Sequence, residues 1–270
     1  MKNNAQISYQ PNLKETFLLT LVLLLGGGML QGIIVGVSHL LGWGGDFLQK
    51  VIGYLLLFVP VILFLYRRTG RWLPFWPSLQ SLPRYWQLYP VLLLLIPTIN
   101  VLLEIPLAWF PMPDWYIRLM ENLSGGPLWI TLLSVAVLAP LLEEYFCRGV
   151  IMRGLLSHTR PAHAILWSSF VFAIIHLNLW QAIPAFAMGA VFGWVYYRTG
   201  SLWTTIFLHA VNNALSILVS HNFPELSPEG RLTDLIPVNP WIQYGVCALL
   251  LVASLYFIHR YTKTTIHHEI

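Results

Sequence analysis

Long apolar runs, separated by short polar or proline- and glycine-marked stretches, dominate the chain from residue 17 to residue 259. An α-helix needs about 20 predominantly apolar residues to cross a hydrocarbon core. Eight runs meet or approach that length, at roughly 17–42, 48–66, 86–110, 127–156, 162–178, 181–198, 202–220 and 239–259. The run at 162–178 is the shortest and carries Ser168, Ser169 and His176. Gly26, Gly27, Gly28, Pro60, Pro97, Pro140 and Pro184 fall inside runs. Neighbouring helices can re-satisfy the backbone at such points, so these residues do not veto the spans. There is no internal repeat, low-complexity segment or linker. The pattern predicts an all-α fold: a polytopic membrane bundle of about eight transmembrane helices, forming one membrane-embedded domain over 1–270.

Composition narrows the class further. Of the 270 residues, 57% are hydrophobic and 10% charged, with a mean hydropathy of +0.65. Soluble domains carry roughly 25% charged residues, so most of this surface faces lipid. The net charge of +4 is modest and gives no argument for nucleic acid as a partner. Two cysteines, Cys147 and Cys247, form neither a disulfide framework nor a zinc-knuckle spacing. The opening MKNNAQISYQPNLKE is polar and lacks a cleavable signal pattern.

Lysine and arginine orient the bundle. With a cytoplasmic N-terminus, the inside positions are Lys2, Lys14, Arg67, Arg68, Arg71, Arg84, Arg148, Arg153, Arg160, Arg198, Arg260 and Lys263. Lys50, Arg118 and Arg231 remain outside, a split of 12 to 3. That bias predicts an integral, multi-pass protein with both termini cytoplasmic, as in a prokaryotic plasma membrane. The last outer loop, HNFPELSPEGRLTD, is acidic and polar.

Three acidic residues fall within spans: Glu104, Glu143 and Glu144. Ionisable groups there are costly and point to a function or a named partner. Glu104 stands near the outer end of its span, within reach of the interface. Glu143 and Glu144 are adjacent, so their side chains leave the helix about 100° apart. Arg148 follows Glu144 by four residues, the spacing and order of a helical ion pair. The expectation is a division of labour, with Glu144 held by Arg148 and Glu143 turned into the bundle. A partly desolvated carboxylate there suits a general base.

Of nine histidines, His158, His163, His259, His267 and His268 fall at the inner face or tail, and His39 and His221 near outer ends. His176 and His209 are set inside spans. SHTRPAH marks a helical turn, with Pro161 beginning the second helix. Glu143 lies 16 residues before Thr159 and His176 lies 16 after Arg160, so an antiparallel pair places them at matching depth, roughly 20 Å from the turn. Asn213 shares a helix face with His209, while Asn212 points elsewhere. Carboxylate, two imidazoles and an amide can thus converge, supplying a base for water and donors for an oxyanion. Phe172, one turn before His176, either walls the site or packs the helix. Cys147 reads as packing, since no histidine is spaced to activate it.

EEYFCR (143–148), FAIIH (172–176) and HAVNN (209–213) together resemble the CAAX-protease and bacteriocin-processing family, which includes type II CAAX prenyl proteases. Its pattern is EExxxR, FxxxH and HxxxN or HxxxD on successive helices of an eight-helix bundle. The resemblance covers about residues 127–220, the expected catalytic core. It implies an intramembrane endopeptidase near the cytoplasmic leaflet, acting on a peptide or a lipidated, for example prenylated, protein. Glu143 would activate water with His176 beside it. His209 and Asn213 would stabilise the oxyanion, and Glu144 and Arg148 would shape the site. Two histidines and a carboxylate (Glu143, His176 and His209) can also hold one zinc ion with a water, while the chain lacks an HExxH helix. Two other readings stay open at this point: a non-catalytic immunity or sensor scaffold, and a proton-coupled transporter. The expected partners are the substrate and membrane lipids.

Overall fold

A computed structural model describes residues 9–43, 45–72, 85–223 and 230–262. Lys2, Arg84, Lys263, His267, His268 and residues 224–229 of the acidic outer loop lie outside the described residues.

Within them the chain is helical and contains no strand. Seven helices are long and apolar enough to cross a membrane: α1 (Leu13–Leu40), α2 (Phe47–Thr69), α3 (Trp86–Leu107), α5 (Leu128–Leu156), α7 (Leu179–Thr199), α8 (Leu202–Asn222) and α9 (Pro240–Tyr261). A shorter apolar helix, α6, runs over Pro161–Ile174. An amphipathic helix not foreseen in the sequence, α4 (Asp114–Ser124), connects α3 to α5. Each of the eight expected runs therefore forms a helix, but the run at 162–178 differs in extent. Its 14 residues rise about 21 Å, short of a full crossing, and His176 lies beyond its end. Leu177 follows with φ of +56°, a left-handed conformation uncommon for a non-glycine residue. Asn178 then caps α7 by accepting from the Gln181 N–H at 2.8 Å.

Other boundaries follow from local chemistry. Asn12 and Glu15 form a reciprocal capping box at the start of α1. Pro161 occupies the first turn of α6, where its missing N–H costs nothing. Gly200 ends α7 in the left-handed region (φ +68°), and Ser201 caps α8 immediately afterwards.

Packing places α5 at the centre. Of its most apolar 18-residue window, 61% is buried, against 17–39% for the other spans. One apolar core joins α1, α2, α5 and α6 around Leu23, Phe58, Phe146 and Ile151. A second joins α3, α7, α8 and α9 around Leu95, Ile99, Phe192 and Ile258. Outward side chains such as Met29, Leu249 and Val252 are exposed, as the apolar composition requires of a lipid-facing surface.

One charge expected at the inner face is elsewhere. Arg148 is fully buried within α5, so it belongs to the interior and not to the rim of positive charge. Glu104 also does more than reach an interface. It accepts from the Thr233 backbone N–H (3.2 Å), the Thr233 hydroxyl (2.8 Å) and the Tyr244 hydroxyl (3.1 Å).

Candidate active site

The polar cluster is built on α5, whose winding opens into i→i+5 turns over Leu132–Leu138 and Tyr145–Met152, on either side of the two glutamates. Such π-turns often occur at functional positions. Here one consequence is visible in the hydrogen bonds. The Ala139 N–H bonds back to Ser134, and Pro140, the next residue, has no N–H. The Val135 carbonyl is thereby left for another donor. Asn213 of α8 supplies it, with its Nδ2 at 2.8 Å.

Glu144 and Arg148 form the expected pair. Arg148 Nη1 donates to Glu144 Oε1 at 2.9 Å, and both side chains are wholly buried. Arg148 Nη2 donates to the Gly189 carbonyl of α7 at 2.9 Å. The guanidinium also lies over the Phe172 ring, 4.7 Å from its centroid, a favourable cation–π placement. The Gly189 backbone can come so near because a Cβ there would stand 3.2 Å from Phe172 Cδ1 and 3.3 Å from Ser169 Cα. Phe172 thus packs between Arg148 and the backbone of α7. Its ring meets His176 and His209 edge-on, at 5.3 and 5.4 Å between centroids.

His209 joins the two glutamates. Its Nδ1 lies 3.0 Å from Glu144 Oε1, and its Nε2 lies 3.7 Å from Glu143 Oε2. An ionised carboxylate only accepts, so Nδ1 carries a proton and Nε2 is the nitrogen turned towards Glu143. A direct hydrogen bond is shorter than 3.7 Å, but a water lying beside this pair can reach both atoms. Glu143 differs from its neighbour in access: 11% of its side chain is exposed, against 0% for Glu144.

His176 Nδ1 is 2.7 Å from the Phe172 carbonyl. A carbonyl can only accept, so Nδ1 is the protonated nitrogen and Nε2 keeps its lone pair. Asn212 donates to Asn213 Oδ1 (3.1 Å) and accepts from Asn100 of α3 (2.8 Å), which fixes the orientation of the Asn213 amide. Cys147 is buried and serves through its carbonyl, which accepts from Ser168 at 2.8 Å.

The sequence reading missed Tyr54 of α2. Its hydroxyl donates to Glu143 Oε1 at 2.5 Å. No periodicity could have found it, since a tyrosine in an apolar run looks like packing or an interfacial anchor.

Among the described residues, no three His, Cys, Asp or Glu side chains gather as a group able to hold a metal ion. In His209 and His176 one ring nitrogen is taken by an oxygen, of Glu144 and of the Phe172 backbone, which leaves Nε2 of each as the nitrogen that would hold a metal beside Glu143.

The model of the type II CAAX prenyl endopeptidase Rce1-like family matches residues 125–215. A Bacillus subtilis (strain 168) protein named as a membrane peptidase, YdiL, is 32% identical over 101 residues, covering 37% of this chain and 41% of that protein. The membrane-embedded CAAX protease MroQ of Staphylococcus aureus (strain USA300) is 32% identical over 107 residues, again 37% and 41%. The match thus spans less than half the length of either relative. No solved structure matches. Residues 125–215, which hold all three motifs and the buried cluster, are thus similar to the CAAX-protease family of membrane peptidases.

Proposed function

We propose that the protein is an intramembrane endopeptidase that hydrolyses a peptide bond through a water activated by Glu143. The observation that carries this reading is the unequal state of two neighbouring carboxylates. Glu144 is closed off and neutralised by Arg148, while Glu143 is partly accessible and faces an imidazole nitrogen. A structural ion pair needs only the first. A carboxylate without a lysine or arginine partner, beside a histidine and within reach of water, is the arrangement of a general base.

In the proposed reaction Glu143 takes a proton from water, and the hydroxide oxygen bonds to the scissile carbonyl carbon. His176 Nε2 accepts from the same water and orients it. The oxyanion is held by the Asn213 N–H not given to Val135 and by His209 as the imidazolium, with Nδ1–H kept on Glu144 and Nε2–H turned to the oxyanion. The C–N bond then breaks as Glu143 returns the proton to the leaving nitrogen. Glu144 and Arg148 keep the His209 ring in place. No step is routed through a metal.

The substrate class is a peptide or the lipidated end of a protein, cleaved near the cytoplasmic leaflet, with both termini of the enzyme cytoplasmic. The charge split, 11 to 3 once the buried Arg148 is set aside, and the names of the two relatives support this. The test uses the full chain in lipid nanodiscs with a peptide ending in a farnesylated cysteine plus three residues, and with its unfarnesylated counterpart. Hydrolysis of either, detected by mass, is expected and should persist after chelation. Intact peptides in both arms would count against the assignment, and loss of cleavage on chelation with recovery on adding zinc would overturn the metal-free step.

A further inference from the structure

We infer that Tyr54 is a positioning residue for Glu143, so that the active site includes a residue from α2, outside the segment that matches the family model. The inference rests on the proposed catalytic role of Glu143.

Three observations support it. First, the phenol donates to Glu143 Oε1 at 2.5 Å, while Oε2 is the oxygen that faces His209. The two carboxylate oxygens are thus divided between a fixed donor and the reacting side. A carboxylate held at one oxygen cannot swing about its terminal torsion, which is otherwise broad. Second, the phenol is itself rigidly mounted. Tyr54 and Phe58 stand four residues apart on α2, with rings 5.7 Å apart, and Phe58 meets Phe146 of α5 edge-on at 6.3 Å. Phe58 and Phe146 are buried, so this aromatic ladder anchors the hydroxyl to the helix that carries Glu143. Third, α2 is locked against α1 by a close approach. At Gly27 a Cβ would collide with the Leu57 backbone, with Leu57 Cα only 3.2 Å away. The placement of Tyr54 is therefore determined by packing on both sides of α2.

Packing alone gives no reason for a tyrosine. A phenylalanine would complete the same ladder, and the bilayer interior disfavours an idle hydroxyl. The hydroxyl has one partner of consequence, and it is the base. A positioned carboxylate is worth a substantial rate factor, because a misplacement of about 1 Å can cost roughly 100-fold.

The experiment compares Tyr54→Phe, Tyr54→Leu and Glu143→Gln, each as the full chain in lipid nanodiscs, by thermal midpoint, kcat and KM on a cleaved peptide, and carboxylate infrared bands. Tyr54→Phe is expected to keep its thermal midpoint and a KM within about two-fold, while kcat falls about 10- to 100-fold. Its carboxylate stretch should shift at the band that Glu143→Gln removes. Tyr54→Leu should lose stability as well, because the ladder loses a ring. If Tyr54→Phe keeps full kcat while Glu143→Gln is inactive, the inference fails and the catalytic reading stands. If Glu143→Gln keeps full kcat, the catalytic reading fails and the inference with it. An unshifted infrared band in Tyr54→Phe overturns the contact itself, whatever the kinetics.

Discussion

Glu104 and Glu143 are both carboxylates of apolar helices, yet their partners differ in kind. Glu104 accepts from a backbone N–H and two hydroxyls, all neutral donors, supplied by a short helical turn at Leu232–Leu235 and by α9. Those bonds fasten the loop before α9 to α3 and have no means of moving a proton. Glu143 takes one hydroxyl and faces an imidazole whose other nitrogen is held by a second carboxylate. An intramembrane carboxylate thus becomes a candidate for chemistry through its neighbours. Burial alone does not distinguish a fastener from a base.

Four substitutions can break or sharpen that contrast. The largest loss of stability is expected for Arg148→Ala, which leaves Glu144 as an uncompensated buried charge. Removing one member of such a pair costs about 3–5 kcal/mol, and thermal unfolding in detergent should show it together with lost activity. Glu104→Ala comes next. It strands the Thr233 and Tyr244 donors and should cost about 1–3 kcal/mol, with kcat on a cleaved peptide unchanged. If Glu104→Ala abolished cleavage without unfolding, the contrast between the two carboxylates would collapse. Gly189→Ala forces Ser169 and Phe172 to yield by a few tenths of an ångström. A loss of about 1–3 kcal/mol is expected from such overpacking, with lower kcat because Phe172 borders both histidines. The smallest effect belongs to Asn100→Ala, which frees the outer end of the amide chain leading to Asn213. About 1 kcal/mol of stability and a few-fold drop in kcat are expected, with an unchanged KM.

Much of this arrangement could be read from the sequence, for reasons that particular residues make clear. Long apolar runs declare spans because the bilayer demands them, and the Glu144–Arg148 pair follows from four-residue spacing alone. The limits of the run at 162–178 were less legible. Ile174, Ile175 and Leu177 are as apolar as the helix before them, and the early stop depends on the His176 ring bonding back to Phe172 and on the left-handed Leu177. The Asn213–Val135 bond was hidden for another reason. It depends on a π-turn whose freed carbonyl is legible only in part, through Pro140. Tyr54 was beyond sequence reasoning because its partner lies 89 positions away on a helix whose contacts no local pattern reveals. Arg148 was misplaced at the membrane rim by counting charges without regard to burial.

The most direct test of the central claim compares Glu143→Gln with the unaltered protein by single-turnover cleavage of one peptide in lipid nanodiscs, with thermal midpoints measured on the same samples. Glu143→Gln is expected to retain its fold, since the amide can still accept from Tyr54, and to lose cleavage by about 1,000-fold or more, the scale of removing a general base together with its placement of water. Cleavage at the unaltered rate by a folded Glu143→Gln protein would contradict the account.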